Sequence, residues 1–203
     1  GAQTDSQSVT LQVTAVNDAP LITAPLSIAV SEDVSRALTG ISFADPDAGS
    51  NTVTATFSVP SGTLSATSSG SVTVGGTSSA LTLSGSLADL NAFIAAGRLS
   101  FQTAANATAS MALSISINDG ALTDSRNVTL DVTAVNDAPL NSLPAAQSVD
   151  QNAFLVFSSG NGNLISISDV DAGAGILRVT LNASNGRLSL AGTSGLTFTA
   201  GSG

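Results

Sequence analysis

Apolar and polar residues alternate along much of the chain, most clearly in a segment that occurs twice. Residues 128–133 read VTLDVT, with an apolar side chain at every second position, which is typical of a β-strand with one buried side. We expect the strand to end by Asn136–Pro139, because Pro lacks an amide hydrogen and Asn and Asp readily bond their own backbone. Residues 9–20 repeat the segment with one substitution, as VTLQVTAVNDAP.

The repeated segment belongs to a longer internal repeat. Residues 1–20 and 120–139 are identical at 16 of 20 positions, with an offset of 119 residues. Further along, DVDAG at 169–173 matches DPDAG at 45–49 with an offset of 124 (169 minus 45). The later copy therefore carries five extra residues (124 minus 119), which we assign to the loop Ser159–Asn163.

A fixed long period is typical of tandem arrays. We interpret residues 1–17 as the C-terminal part of a preceding repeat and residues 18–137 as a complete repeat. Residues 138–203 are interpreted as the N-terminal part of a following, truncated repeat.

One segment of the complete repeat breaks the period of two. Leu87, Leu90 and Ile94 recur at helical spacing between a Ser86 cap and Gly97, which predicts a short helix over residues 87–96. The remaining pattern of short strands and turns predicts an all-β fold, an immunoglobulin-like two-sheet sandwich with one crossover helix per repeat. Strands are predicted at residues 26–30, 38–43, 53–59, 63–66, 71–74, 81–83, 99–101, 111–117 and 128–133.

Composition narrows the range of functions. The chain has no Lys, His, Cys, Tyr or Trp, only five Arg and a formal net charge of −9. Nucleic-acid binding is therefore not expected, because phosphate contacts need clustered Lys or Arg. Disulfides and thiolate metal sites are excluded. No apolar run approaches the roughly 18 residues of a transmembrane helix, so we expect no membrane insertion of this segment.

The same composition disfavours an enzyme. The usual nucleophile activators and general bases are missing, and no GxSxG motif occurs. Only a carboxylate pair remains as catalytic chemistry, and Asp45 and Asp47 could form one, but the chain lacks the aromatic platforms on which glycoside hydrolases bind sugar rings.

Acidic residues and neighbouring Asn are concentrated where strands are predicted to end. Carboxylates gathered at one end of a sandwich repel each other unless a cation lies among them, and oxygen-only ligand sets suit calcium, which takes about six to eight oxygens. The absence of His and Cys disfavours zinc, copper and iron. A second interpretation stays open, because Asp-Pro-Asp-Ala-Gly and Asn-Asp-Gly are also ordinary turn sequences.

Four motifs, in this order, resemble those of cadherin-like tandem repeats in large bacterial surface proteins, including RTX adhesins exported by type I secretion. The resemblance covers the complete repeat and both flanking parts. The motifs are Val-Asn-Asp-Ala-Pro at 16–20 and 135–139, similar to the linker motif; Val30-Ser31-Glu32, similar to the early acidic motif; Asp45-x-Asp47-x-Gly49-x-Asn51, similar to DxDxGxN; and Asn118-Asp119-Gly120, similar to the late DxG motif.

The resemblance implies calcium sites at both junctions. Some positions depart from the family pattern: Ala15 and Ala134 replace the first linker aspartate, and Gln151 and Gly175 stand in the next repeat where Glu32 and Asn51 would align. We therefore expect fewer than three ions per junction. The implied ligands are Asn17, Asp18, Asp45, Asp47, Asn51 and Asp119 with the carbonyl of Ala19 at the first junction, and Glu32, Asn136, Asp137, Asp169 and Asp171 at the second.

The resemblance further implies an extracellular spacer at the cell surface. Its partners would be adjacent repeats of the same chain, with other domains of the protein binding a host or abiotic surface. Two alternatives stay open, a ligand-binding adhesion module and a subunit of a self-assembling filament or surface layer. Asp89 is expected to cap the helix, and Asp5 and Asp124 are expected to be solvated loop residues.

Overall fold

A computed structural model describes residues 1–200 and divides the chain into two compact units, Gly1–Val135 and a second that begins at Asn136. The first unit is built from strands and one short helix. Its elements are β1 (Leu21–Thr23), β2 (Ser27–Ser31), β3 (Arg36–Ala37), β4 (Ser42–Ala44), β5 (Val53–Ser58), β6 (Thr63–Ala66), β7 (Thr73–Gly76), β8 (Ala80–Gly85), α1 (Leu87–Ala95), β9 (Leu99–Gln102), β10 (Met111–Asn118) and β11 (Thr123–Thr133).

These strands form an all-β sandwich, as the sequence predicts. The larger sheet has the order β2-β11-β10-β5-β8-β7, the smaller has the order β3-β9-β6, and β1 pairs with β4. All pairings are antiparallel except that of β11 with β2. No helix among the described residues is long and apolar enough to cross a membrane.

The core lies between the inner faces of the sheets. Burial alternates along β5, where Val53, Ala55 and Phe57 point inward, as expected for a strand with one solvated side. The rings of Phe43 and Phe57 pack with centroids 6.4 Å apart and a 59° tilt, within the range of favourable aromatic pairs. Leu90 and Ile94 of α1 are wholly buried and complete this core.

The helix confirms the prediction over residues 87–96. Ser86 caps it, because its Oγ accepts a hydrogen bond from the Asp89 amide at 3.2 Å and donates one to Asp89 Oδ2 at 2.7 Å. Asp89 thus acts as a capping residue. The helix ends before Gly97, whose φ of +68° suits a residue without Cβ.

The solvent-facing side of the larger sheet carries mostly hydroxyl and amide side chains. Thr54 Oγ1 and Ser84 Oγ lie 3.0 Å apart across β5 and β8, and Asn118 donates to Thr123 Oγ1 at 2.7 Å across β10 and β11. Such cross-strand pairs support the sheet. The strand register aligns two uncharged rows, Thr123, Asn118, Thr54, Ser84 and Thr73, and Ser125, Ser116, Thr56, Thr82 and Gly75.

The prediction of one strand over residues 38–43 was wrong. The chain there leaves β3 in the smaller sheet and enters β4, which pairs with β1. Gly40, with φ +78°, lies between the two strands. The apolar pattern suggested one strand because Leu38, Ile41 and Phe43 are all buried. These residues nevertheless span the crossover from one sheet to the other.

The two copies of the repeated segment differ in structure. Val128 and Leu130 are buried in β11, which lies between β10 and β2. Val9 and Leu11, at the equivalent positions, are 85% and 84% exposed, and no strand of the described chain pairs with them. A strand needs neighbours as well as a pattern.

The second unit begins in the same way as the sandwich of the first. Its strands β12 (Leu140–Ser142) and β13 (Ser166–Ser168) pair antiparallel, with Leu140 opposite Ser168. The repeat offsets place this pair where Leu21 faces Ala44 in β1 and β4. Asn163, only 4% exposed, holds the assigned insertion loop by accepting from the Ser158 amide at 3.0 Å.

Asp124 is not the solvated loop residue that the sequence suggested. Its Oδ2 accepts a hydrogen bond from the Ile22 amide at 2.9 Å, and its Oδ1 accepts from the Ser125 amide at 2.8 Å. The half-buried carboxylate therefore anchors β1 to β11. Asp5, its equivalent in the repeat, is exposed.

We expect Asp124→Ala to lower the free energy of unfolding by about 1–3 kcal/mol, because hydrogen bonds to a charged acceptor are lost and a half-buried amide is left without a partner. Asp5→Ala is the matched control and is expected to change stability by less than about 0.5 kcal/mol. Urea denaturation of both variants measures the difference. Equal stabilities would show that the Asp124 anchor contributes nothing.

Candidate metal centre

Five of the predicted ligands come together in the first unit. We call Asn17, Asp18, Asp45, Asp47 and Asp119 the first acidic cluster. Asn17 and Asp18 lie just before β1, Asp45 and Asp47 follow β4, and Asp119 lies in the turn between β10 and β11. Pairing of β1 with β4 brings the first two groups together, and hydrogen bonds from Asn17 link them to the third.

The turn after β4 is held by Asp45. Its Oδ1 accepts from the amides of Asp47 at 2.8 Å and Ala48 at 3.0 Å, and the turn continues with Asn51 donating its amide to the Ala48 carbonyl. The turn interpretation of this motif is therefore correct for one oxygen of Asp45. The other, Oδ2, is buried and has no hydrogen-bond partner. A desolvated carboxylate oxygen without a donor is costly unless a cation compensates it.

The segment before β1 is tied to this turn and to the β10–β11 turn. The Asp18 amide donates to Asp47 Oδ2 at 2.7 Å. Asn17 donates from Nδ2 to Asp119 Oδ2 at 2.8 Å and to the Asp18 carbonyl at 3.1 Å. One asparagine thus joins the entering segment to a carboxylate 102 residues away.

Asp119 is arranged to stay ionised. The backbone amide of Leu122, the side-chain amide of Asn17 and the amide of Ala121 donate to it, and these hydrogen bonds lower the pKa of its carboxyl below the ordinary value. The half-buried carboxylate therefore carries its charge at neutral pH and can serve as a hard oxygen ligand.

The second unit repeats this hydrogen-bond pattern. We call Asn136, Asp137, Asp169 and Asp171 the second acidic cluster. The Asp137 amide donates to Asp171 Oδ2 at 2.5 Å, and Asn136 donates to the Asp137 carbonyl at 2.8 Å. Asp169 Oδ1 accepts from the amides of Asp171 at 3.0 Å and Ala172 at 2.9 Å. The contacts match those made by Asp18, Asp47, Asn17 and Asp45 in the first unit, so the repeat in sequence is also a repeat in local structure.

Glu32 lies apart from the first acidic cluster, directly after β2. It is completely buried, its amide donates to the Thr133 carbonyl, and its Oε2 accepts from the Val135 amide at 3.2 Å. Its Oε1 is buried without a hydrogen-bond partner. Carboxylate oxygens of Glu32 and of the exposed Asp33 lie within 4.8 Å of each other, so a second pair of hard oxygen ligands lies at this end of β2.

Asn51 is the one side-chain ligand predicted at the first junction that the structure leaves outside the first acidic cluster. Asn51 is exposed, and its side chain makes no hydrogen bond to the first acidic cluster within residues 1–200.

Asp33, which the sequence did not single out, adopts φ +59° beside Glu32. Asn152 has φ +66° in the second unit, which supports the alignment of Gln151 with Glu32. The adjacent pair Glu-Asp after an alternating strand was the available signal for Asp33.

The donor set fits a hard divalent cation. Each cluster offers only carboxylate, amide and carbonyl oxygens, the ligands that calcium prefers. Asp45 Oδ2 and Glu32 Oε1 are in addition buried without a hydrogen-bond partner. No protein-family model matches the sequence, and a comparison with curated proteins finds no significant match.

Proposed function

We propose that this segment is a structural spacer in a large extracellular bacterial adhesin, whose repeat junctions are stiffened by calcium. The observation that carries the proposal is the recurrence of one acidic arrangement before both β1 and β12, with a buried, unpartnered carboxylate oxygen at Asp45. An isolated turn motif would not need to repeat this arrangement at the start of each unit.

The mechanism follows from which residues would hold the ion. In the first unit, Asn17 and Asp18 belong to the segment that enters the sandwich, whereas Asp45, Asp47 and Asp119 belong to its loops. These residues would hold a calcium ion, whose positive charge would offset the mutual repulsion of the carboxylates. The chain's own hydrogen bonds between Asp18 and Asp47, and between Asn17 and Asp119, orient the ligands beforehand. The entering segment then loses the freedom of an ordinary linker.

An extracellular location agrees with ligands that consist of oxygen atoms only. Extracellular calcium modules bind with dissociation constants of about 10⁻⁴–10⁻³ M, so they are loaded outside cells and empty inside. The partners in this proposal are neighbouring repeats of the same chain, and other domains carry the attachment to a host or abiotic surface. The segment itself performs no catalysis in this proposal.

Small-angle X-ray scattering of the 203-residue protein tests the proposal. With millimolar calcium, we expect a larger maximum dimension and a narrower distribution of interatomic distances than with a chelator, because fixed junctions sample fewer orientations. Asp45→Asn, which leaves the second acidic cluster intact, should show a smaller calcium-dependent change in scattering than the wild-type protein. Scattering profiles that do not change with calcium would contradict the stiffened spacer.

A second candidate is an adhesion module, which the two uncharged rows on the outer face of the larger sheet favour. Its aligned rows of Ser, Thr and Asn side chains offer many donors and acceptors on one surface. A neutral polysaccharide, itself rich in hydroxyls, is the ligand that such a surface would suit. Binding to a glycan panel that is lost in Thr56→Arg would favour this module over the spacer.

A further inference from the structure

Three steps of the described chain place glycine directly after an Asn or Asp. They are Asp119–Gly120, Asn161–Gly162 and Asn185–Gly186. At such a step the amide nitrogen of glycine can attack the side-chain Cγ of the residue before it, because no Cβ hinders the approach. Whether the reaction occurs depends on whether that nitrogen and that side chain are free to meet.

Two of the three steps are held by hydrogen bonds. The Gly162 amide donates to the Ser159 carbonyl at 3.1 Å, and Asn161 donates from Nδ2 to the Val156 carbonyl at 2.9 Å. The Gly120 amide donates to Asn118 Oδ1 at 2.8 Å, while Asp119 Oδ1 accepts from the amides that follow it. In both cases the attacking nitrogen and the target side chain are already engaged.

Asn185–Gly186 differs in each respect. Both residues are exposed and lie outside any strand or helix. Within residues 1–200 neither the Asn185 side chain nor the Gly186 amide makes a hydrogen bond. Gly186 has φ +139°, and no atom lies within 4 Å of the place where a Cβ would stand. Nothing in the surrounding structure keeps the nitrogen from the side-chain carbonyl.

We propose that Asn185–Gly186 is a site of spontaneous deamidation. The Gly186 nitrogen forms a bond to Asn185 Cγ, the bond from Cγ to Nδ2 breaks, and ammonia leaves with the proton of the Gly186 amide. Water then adds to either carbonyl of the resulting succinimide and opens it. The products are aspartate or isoaspartate, so one water is consumed, one ammonia is released and one negative charge joins the formal charge of −9.

The first unit contains an equivalent turn that cannot deamidate. The repeat offset of 124 aligns Asn185–Gly186 with Ser61–Gly62. Ser61 has no amide to lose, and a Cβ at Gly62 would meet the Gln102 carbonyl oxygen at 2.5 Å, so that turn is packed against β9. The modification is therefore specific to the second unit, and Asn185→Ser is a substitution that the protein already uses at the equivalent place.

Incubation of the 203-residue protein at mildly alkaline pH, followed by peptide mapping for isoaspartate, tests the proposal. We expect isoaspartate at residue 185, with conversion at Asn161 slower by about tenfold or more because two hydrogen bonds must first break. In denaturant the two Asn-Gly steps should convert at similar rates, and Asn185→Ser should abolish the main product while leaving the circular dichroism spectrum unchanged. Equal rates at the two steps in the native protein, or no conversion at residue 185, would overturn the proposal.

Discussion

Calcium at about a hundred times its dissociation constant is expected to raise the melting temperature of the 203-residue protein by about 10 °C. Ligand that binds only the folded state at this excess stabilises it by about 2.7 kcal/mol, and each kcal/mol is worth about 4 °C for a domain of this size. The physical reason is the buried Asp45 Oδ2, which has no donor of its own and gains a cation. Differential scanning calorimetry with calcium and with a chelator measures the shift.

Two variants make this measurement specific. Asp45→Asn keeps an oxygen that can accept the amides of Asp47 and Ala48, but it removes the charge, so the calcium-dependent shift should fall to about a third or less. Asp5→Asn removes the same charge from an exposed position far along the chain and should keep the full shift. A shift of the same size in both variants would mean that calcium acts elsewhere.

Phe57→Ala is expected to lower the free energy of unfolding by about 3–5 kcal/mol, because it leaves a cavity in a packed core. Phe57 is completely buried in β5 and packs against Phe43. The repeat supplies its control: Leu181 is the equivalent residue in the second unit and is 51% exposed. Leu181→Ala should change stability by less than about 0.5 kcal/mol.

Chemical denaturation of the two variants decides this comparison. A large loss from Phe57→Ala alone supports the first unit as the folded core of the chain. Comparable losses from both substitutions would show that the second unit also folds around its copy of this position, contrary to the exposure of Leu181.

Local patterns predicted the elements whose neighbours lie close in sequence. The helix α1 was predictable because its cap, its apolar spacing and its terminal Gly97 are all contained in twelve residues, Ser86 to Gly97. The strand β11 was equally clear from its alternation. The same alternation at residues 9–14 forms no strand, because pairing depends on partners that a local pattern does not contain.

The remaining errors have the same origin. Apolar residues at 38–43 alternate through a crossover between sheets, and only the three-dimensional arrangement shows that Gly40 divides the segment. Asp124 looks like a loop residue in sequence, yet the amide it serves belongs to Ile22, 102 residues away. Neither the crossover at Gly40 nor the hydrogen bond from Ile22 to Asp124 can be predicted from the neighbouring residues in the sequence.

The candidate site was predictable in its membership but not in its geometry. Motif order and resemblance selected Asn17, Asp45, Asp47 and Asp119, and the structure brings these residues together. The sequence did not indicate that Asp45 uses one oxygen for the turn and leaves the other buried and unpartnered. The turn and the calcium-ligand interpretations are therefore compatible for Asp45, because one oxygen holds the turn and the other is left for a cation.

Calorimetric titration of calcium into the wild-type protein and into Asp45→Asn is the most direct test of calcium binding by the first acidic cluster. We predict saturable binding by the wild-type protein with a dissociation constant of about 10⁻⁴–10⁻³ M, and loss of at least one site in the variant. Identical isotherms for the two proteins, or no saturable binding by either, would contradict the account.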